Sequence, residues 1–307
     1  MFDMRRLRLL YELSNRETVT AVAEKFAMSP SGVSQQLAQL QREARVTLFV
    51  REGRRLRITD AGRLLVSHTE RLLTGLEEAE SELAELVGSV TGPVRLSAFP
   101  TVARSVVPEA VARCRHRHPD LRIVMDEREA PESMVALRGH DTDLALVYEY
   151  DMLPPFDTSG ITLTRLVAES LVVALPPDHR VGEEPIELAS LAEEPWISAY
   201  SDTSGRAALD QACAAAEFAP RVDYASNDYT VIIALVRAGL GVALVPEMAL
   251  EPGDTDIVVR RLAGDPVTRS ISLAARTGTL RNPALRAISA SLAAVARERL
   301  GRNVRHP

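Results

Sequence analysis

Between residues 4 and 44 the apolar side chains return at helical spacing. Met4, Leu7, Leu10 and Tyr11 predict a first helix, which Asn15 and Arg16 interrupt. Thr18 reads as the N-cap of a second helix carrying Ala21, Val22, Ala23 and Phe26. A short turn at Ala27-Met28 leads to Ser29-Pro30. This is a strong helix start, because proline lacks the N–H that would go unpaired in a first turn. The third helix spans residues 30–43. Val33, Leu37 and Leu40 share one face, Ser31, Gln35, Ala38 and Arg42 project from the other, and Ser34 and Gln39 lie on its flanks. Two helices joined by a tight turn, the second with a small polar outer face, make a helix-turn-helix. Strand alternation then takes over. Leu48-Phe49-Val50, a turn at Glu52-Gly53-Arg54, and Leu56 and Ile58 alternating with Arg55 and Arg57 predict a hairpin with a basic tip.

Thr59 caps a long helix over residues 60–87. Along it Leu65, Thr69, Leu72, Leu76, Ala79, Leu83 and Leu86 alternate steps of four and three, an unbroken heptad seam. Its length and its glutamate-rich other faces favour pairing with a second copy over packing on its own domain. Residues 88–93 read as a linker. Beyond them short apolar strands (94–98, 121–125, 144–148) alternate with helices (101–116, 131–138), so a parallel sheet is expected. A second such block has strands near 172–175, 196–198, 222–224 and 241–245 and helices at 204–216 and 228–238, the latter closed by Gly239. Strands at 257–262 and 271–275 and a helix at 282–300 finish the chain. Two α/β lobes with a crevice beyond the strand ends are implied.

Composition narrows the chemistry. Of 307 residues, 36 are basic, and Lys25 is the only lysine among them. A Walker phosphate loop and a Schiff-base enzyme each need a lysine in a particular setting, and Lys25 lies in a helical stretch with no glycine-rich loop before it. Two cysteines, Cys114 and Cys213, make no disulfide framework, which fits a reducing cytoplasm. No apolar run is long enough for a membrane span and no signal peptide is evident, so a cytoplasmic protein without a membrane partner is expected. Residues 1–60 carry a net charge of +4 (11 basic, 7 acidic) in a chain of net −6, as for a nucleic-acid module joined to something that is not one.

Other chemistry is weak. Cys114, His116 and His118 cannot converge on a metal from one helix, so no metal is expected. Gly239-Leu240-Gly241 follows a helix and precedes a strand, the reverse of a dinucleotide fingerprint. No nucleophile elbow or zinc-protease motif is present, and the acidic pairs Glu183-Glu184 and Glu193-Glu194 read as solvated loops. The expectation is therefore a non-enzyme without a cofactor. The rival reading is a solute-binding or enzymatic α/β domain with an incidental DNA module.

Residues 18–37, Leu48-Phe49-Val50-Arg51 and the run from Leu56 to Gly62 resemble the N-terminal module of LysR-type transcriptional regulators. Asp143-Leu144-Ala145-Leu146 and the run from Ala238 to Pro246 resemble, more loosely, that family's effector domain. The resemblance covers essentially the whole chain. It implies an α+β winged helix-turn-helix domain (1–60), a linker or dimerisation helix and hinge (61–90), and an α/β two-lobed, periplasmic-binding-protein-like effector domain. Lobe I would comprise 91–165 and 267–307, and lobe II 166–266. One departure is clear. Where the family has Glu-x-Glu-Leu-Gly this chain has Gln41-Arg42-Glu43-Ala44-Arg45, which puts arginine where glycine would relieve a left-handed cap and draws the placement of the wing into question.

The resemblance also implies site residues. Ser29, Pro30, Ser31, Ser34, Gln35 and Gln39 would meet base edges or nearby phosphates, with Gln35 the best placed to bind adenine bidentately. Thr18, Arg51, Arg54 and Arg55 would meet the phosphate backbone. Thr101, Ser201, Thr203 and Asn227, at helix starts, and Ser97, Phe99, Tyr148 and Tyr200, at strand ends, would contact a small-molecule effector. Leu65, Leu72, Leu76, Ala79, Leu83 and Leu86 would pair two chains. The implied partners are double-stranded DNA bearing an interrupted inverted repeat, the effector, and further copies of the chain as a homodimer and homotetramer. Three tyrosines and few basic residues near the crevice point away from a multiply charged anion.

Overall fold

The computed structural model describes residues 1–52, 55–180, 185–250 and 256–303; Arg54 and the pair Glu183-Glu184 lie outside them. Helices α1 (Met4–Arg16), α2 (Val19–Lys25) and α3 (Pro30–Ala44) close on a buried cluster that includes Leu7, Leu10, Leu13, Val22, Val33, Leu37 and Leu40. Asn15 and Arg16 do not interrupt α1. Arg16 reaches back to Glu12 one turn earlier, and the helix ends at Glu17 in the left-handed region. Thr18 Oγ1 accepts from the Ala21 N–H at 3.3 Å, and Ser29 Oγ accepts from the Gly32 N–H at 3.1 Å, so both expected caps form.

Strands β1 (Phe49–Glu52) and β2 (Arg55–Ile58) pair antiparallel with Phe49 opposite Ile58. Arg45 takes the left-handed conformation that its position demands, at φ 54°, so the turn keeps its form without glycine. Gln41 Oε1 accepts from the N–H groups of Leu48 and Phe49 (2.8 and 3.3 Å), tying the incoming strand to α3. Helix α4 (Asp60–Val87) starts at Thr59. A Cβ on Gly62 would lie 2.1 Å from the Leu48 carbonyl oxygen, so only glycine lets α4 pass this close to the hairpin.

The heptad seam divides. Leu65 packs on the three-helix core and Thr69 is buried within the chain, whereas Leu72, Leu76, Ala79, Leu83 and Leu86 are exposed. A second face of α4 that apolar spacing did not reveal, with Leu73 and Ser81 buried and Glu77 half-buried, lies against the chain's own C-terminal domain.

That domain comprises β3 (Gly92–Ala98), α5 (Pro100–Ser105), α6 (Val107–Arg117), β4 (Leu121–Glu127), α7 (Ala130–Arg138), β5 (Leu144–Tyr150), β6 (Ile161–Leu175), β7 (Pro195–Ser198), α8 (Ser204–Ala215), β8 (Arg221–Ala225), α9 (Tyr229–Arg237), β9 (Ala243–Pro246), β10 (Val258–Arg261), β11 (Thr268–Arg276) and α10 (Pro283–Asn303). The single helix expected at 101–116 is two, because Pro108 has no N–H to continue the first. β3 lies between β4 and β5, parallel to both, as the alternation predicts. The second block is not uniformly parallel. β7 and β8 are parallel, but β9 and β10 run antiparallel to β6. The reason is that β6 is a single 15-residue strand. Its first part pairs with β11 in the lobe of β3–β5, and its last residues pair with β9 and β10 in the second lobe. Only its apolar end was visible as a strand, since Thr162, Thr164, Arg165 and Glu169 break the run. Each lobe has its own core: Leu96, Val102, Leu146 and Ile288 in the first, Val173, Trp196, Leu209 and Val242 in the second.

Candidate functional site

On α3 the buried Val33, Leu37 and Leu40 fix which face looks outward, and Pro30, Ser31, Ser34 and Gln35 are exposed on it. Local hydrogen bonds engage several of the neighbouring polar groups. Ser29 and Thr18 cap helices, and Ser34 Oγ donates to the Pro30 carbonyl at 2.9 Å. The Gln39 amide donates to Glu43 and accepts from Arg42. Gln35 has no side-chain hydrogen bond among the described residues, which leaves both ends of its amide for an external partner. Arg51 is exposed on β1, and Arg55 opens β2.

Where the two lobes meet, β6 and β11 place Glu169 opposite Arg269, and the two form an ion pair of 2.6 Å with side chains 0% and 1% exposed. Both Nε and Nη2 of Arg269 donate to Glu169 Oε1, while Glu169 Oε2 accepts from the Met248 N–H at 2.7 Å. Burial works against the guanidinium charge, and Glu169 overcomes it, holding Arg269 above its ordinary value. The guanidinium stacks 5.2 Å from the Phe99 ring centroid and 5.0 Å from that of Tyr148. These rings meet edge to face at 4.6 Å, and Tyr148 meets Tyr150 likewise at 5.7 Å.

Tyr148 links the lobes. Its hydroxyl donates to Glu129 at 2.9 Å in the first lobe and accepts from Ser204 Oγ at 3.4 Å, at the start of α8 in the second. Burial pushes the Tyr148 and Tyr229 phenols up and raises the Glu129 carboxyl. A Cβ on Gly205 would stand 3.5 Å from the Tyr229 hydroxyl and 3.6 Å from that of Tyr150, so both phenols converge on the first turn of α8. Arg104 closes the edge, donating to Thr230 Oγ1 at 2.7 Å and to the Ala249 carbonyl at 2.8 Å. The result is a cluster of phenols around a charge-compensated arginine.

Of the eight expected effector residues, the structure brings Phe99 and Tyr148 into this cluster. Thr101 is buried in the first turn of α5. Ser97 is wholly buried in β3, with no partner for its hydroxyl among the described residues, so strand position alone did not put it at an open surface. Thr203 caps α8, and Asn227 accepts from the Tyr200 N–H at 3.1 Å. Tyr200 and Ser201 are exposed beside them. These four lie in the segments that lead into α8 and α9. Arg269 and Glu169 were missed, and the expectation of few basic groups is corrected by Arg269. Both strands also carry other polar and charged residues, Arg165 on β6 and Arg276 on β11 among them, so no local signal singled out this pair.

Two family models match the chain: the LysR substrate binding domain over residues 88–297, and the bacterial regulatory helix-turn-helix protein of the lysR family over residues 4–63. The transcriptional dual regulator GltC of Bacillus subtilis is 28% identical over 247 residues, 80% of this chain and 81% of GltC. The HTH-type transcriptional regulator GalR of Pseudomonas putida is 29% identical over 302 residues, 97% of this chain and 75% of GalR. Among solved structures, a full-length OxyR variant from Pseudomonas aeruginosa superposes with a TM-score of 0.69 at 21% identity, over 95% of this chain and 98% of that one. Full-length BenM gives 0.57 at 19% identity over 97% of each chain.

Proposed function

The chain belongs to the LysR family of DNA-binding, effector-modulated transcriptional regulators, and on that premise we propose how its parts divide the work. The outer face of α3 enters the major groove. Gln35 reads a base edge, Pro30, Ser31 and Ser34 meet bases or nearby phosphates, and Thr18, Arg51, Arg54 and Arg55 hold the backbone. Two chains pair through the exposed leucines of α4, and pairs of dimers act on an interrupted inverted repeat in the cytoplasm. Among the described residues no helix is long and apolar enough to cross a membrane.

The effector binds where the lobes meet. The observation that carries this reading is the Arg269–Glu169 pair buried beneath Phe99 and Tyr148, with Tyr148 hydrogen-bonded to both lobes. Because Glu169 already neutralises Arg269, the cluster suits a small ligand that stacks on phenols, hydrogen-bonds and carries at most one charge. Such a ligand would change how the lobes close and shift an existing equilibrium between assembly shapes rather than undergo reaction. Cys114 and Cys213 lie in the cores of different lobes. Burial raises both thiols, Cys213 to about 12, which leaves little thiolate for redox sensing and favours a ligand bound between the lobes. Thermal-shift screening of small molecules graded by charge tests it. Stabilisation by a stacking, singly charged or neutral compound, lost in Tyr148→Ala, is expected; hits confined to polyanions overturn the ligand class.

A further inference from the structure

We propose that the turn after α7, residues 138–141, is a socket through which the effector domain holds and orients the DNA-binding module of its own chain. All four consecutive residues of this turn are engaged from outside the domain. The Tyr11 hydroxyl on α1 donates to the Arg138 carbonyl at 2.6 Å. Lys25, at the end of α2, donates to the Gly139 carbonyl and pairs with Asp141 at 2.9 Å. Arg16 of α1 pairs with the other Asp141 oxygen. Glu77 of α4 lies 2.6 Å from His140 Nδ1. His140 is left-handed at φ 55°, which turns the successive groups outward.

The module side is built to match. Glu12, 1% exposed, binds Lys25 at 2.5 Å and Arg16 at 3.1 Å, so one buried carboxylate aims both cations at the turn. The chain's only lysine stands where a carbonyl and two carboxylates converge, a job for a compact ammonium with three donors rather than a planar guanidinium. A recess of 490 Å³ lies beside these contacts, lined by Asn15, Arg128, Pro131 and Val135 among others. The Tyr11 ring also meets the His140 ring edge to face at 5.9 Å, so the docking combines polar contacts with one aromatic contact. Ser31, Ser34 and Gln35 stay exposed while docked, so the socket governs the orientation of α3 and not access to it.

The socket is anchored to the strand that also serves the cleft. On β11, Arg276 donates to the Leu137 and Thr142 carbonyls at 2.8 and 2.7 Å and to Glu77 at 2.7 Å, while Arg269 lies toward the other end. Seven strand residues span about 24 Å. Control of the socket by an effector rests on the cleft reading above; the docking itself does not.

The single lysine makes the test direct. The full-length chain is treated with an acetylating N-hydroxysuccinimide ester, and Lys25 acetylation is followed by mass spectrometry with the N-terminal amine as internal reference. Asp141→Arg and the milder Tyr11→Phe are compared with the parent, and unchanged melting of both the DNA-binding module and the effector domain shows that each folds. Lys25 of the parent is expected to react about tenfold more slowly than in Asp141→Arg, with Tyr11→Phe between them, because a docked amine reacts only after local opening. Equal Lys25 rates in all three proteins overturn the socket, whatever any ligand does to the cleft.

Discussion

Replacing Arg269 by methionine tests the charge pair buried where the lobes meet. The substitution keeps an unbranched apolar stem but leaves Glu169 wholly buried, with the Met248 N–H as its remaining partner among those described. Breaking one side of a buried ion pair costs about 3–5 kcal/mol, and stacking on Phe99 and Tyr148 adds about 0.5–2 kcal/mol, part of which methionine recovers. We expect a loss of about 4 kcal/mol. The double variant Arg269→Met with Glu169→Gln, which leaves no orphan charge, should lose markedly less than the single one. Trp196, the only tryptophan, is fully buried in the second lobe and reports unfolding by fluorescence in urea. With a slope of about 2.5 kcal/mol per molar, the single variant should lower the midpoint by roughly 1.5 M. A shift below about 0.3 M, or a double variant no more stable than the single, would refute the buried-pair account.

Gln35→Ala should cost about 1–3 kcal/mol on operator DNA and little on random DNA, read by titration of both; equal loss on the two removes the base-reading role. Arg54→Ala should weaken both alike and reduce the salt slope by about one unit. Leu76→Glu places a charge on the exposed stripe of α4 and should dissociate the dimer in analytical ultracentrifugation; an intact dimer sinks the pairing assignment. Arg45→Gly relieves a left-handed residue at a smaller cost in unfolded-state entropy and should raise the stability of the DNA-binding module by about 0.5 kcal/mol in thermal unfolding; an unchanged or lower melting temperature removes the strain argument. Burial acts to raise the Glu77 carboxyl, but His140 and Arg276 outweigh it and hold it below its ordinary range. Its stabilisation is thus complete above the ordinary carboxylate value and lost as pH falls through the depressed one; Glu77→Gln should flatten that limb of an acid-unfolding profile.

Local signals carried the DNA-binding half. A Ser-Pro helix start, Thr18 and Thr59 at their caps, and apolar residues at positions 33, 37 and 40 act within one or two turns of chain, so spacing alone reads them. The cleft is a different problem. Glu169 and Arg269 meet across 100 residues, and Arg269 then stacks on Phe99, which no periodicity couples to either. Thr203 and Asn227 pose a related problem: a hydroxyl or amide placed to satisfy a helix start or a loop N–H has the same local signature as one placed for a ligand.

Helix α4 shows most clearly why one part was legible and another not. Its apolar stripe stands out because leucines at heptad spacing have no other use in a solvated helix. The opposite contact is made by Glu77, Glu82 and Glu85 reaching Arg276, Arg281 and Arg286, which in sequence look like the solvated faces of two unrelated helices and a strand. The two interfaces differ in physics as well as in visibility. The proposed leucine pairing between chains would gain from burial and be nearly indifferent to salt, whereas the outer Glu82–Arg281 and Glu85–Arg286 pairs, at about half exposure or more, are screened at physiological ionic strength. The pair at Arg276 is largely buried and resists screening. Of these three ion pairs, the one at Glu77, next to the socket that grips Lys25, should therefore outlast the outer two as salt is raised.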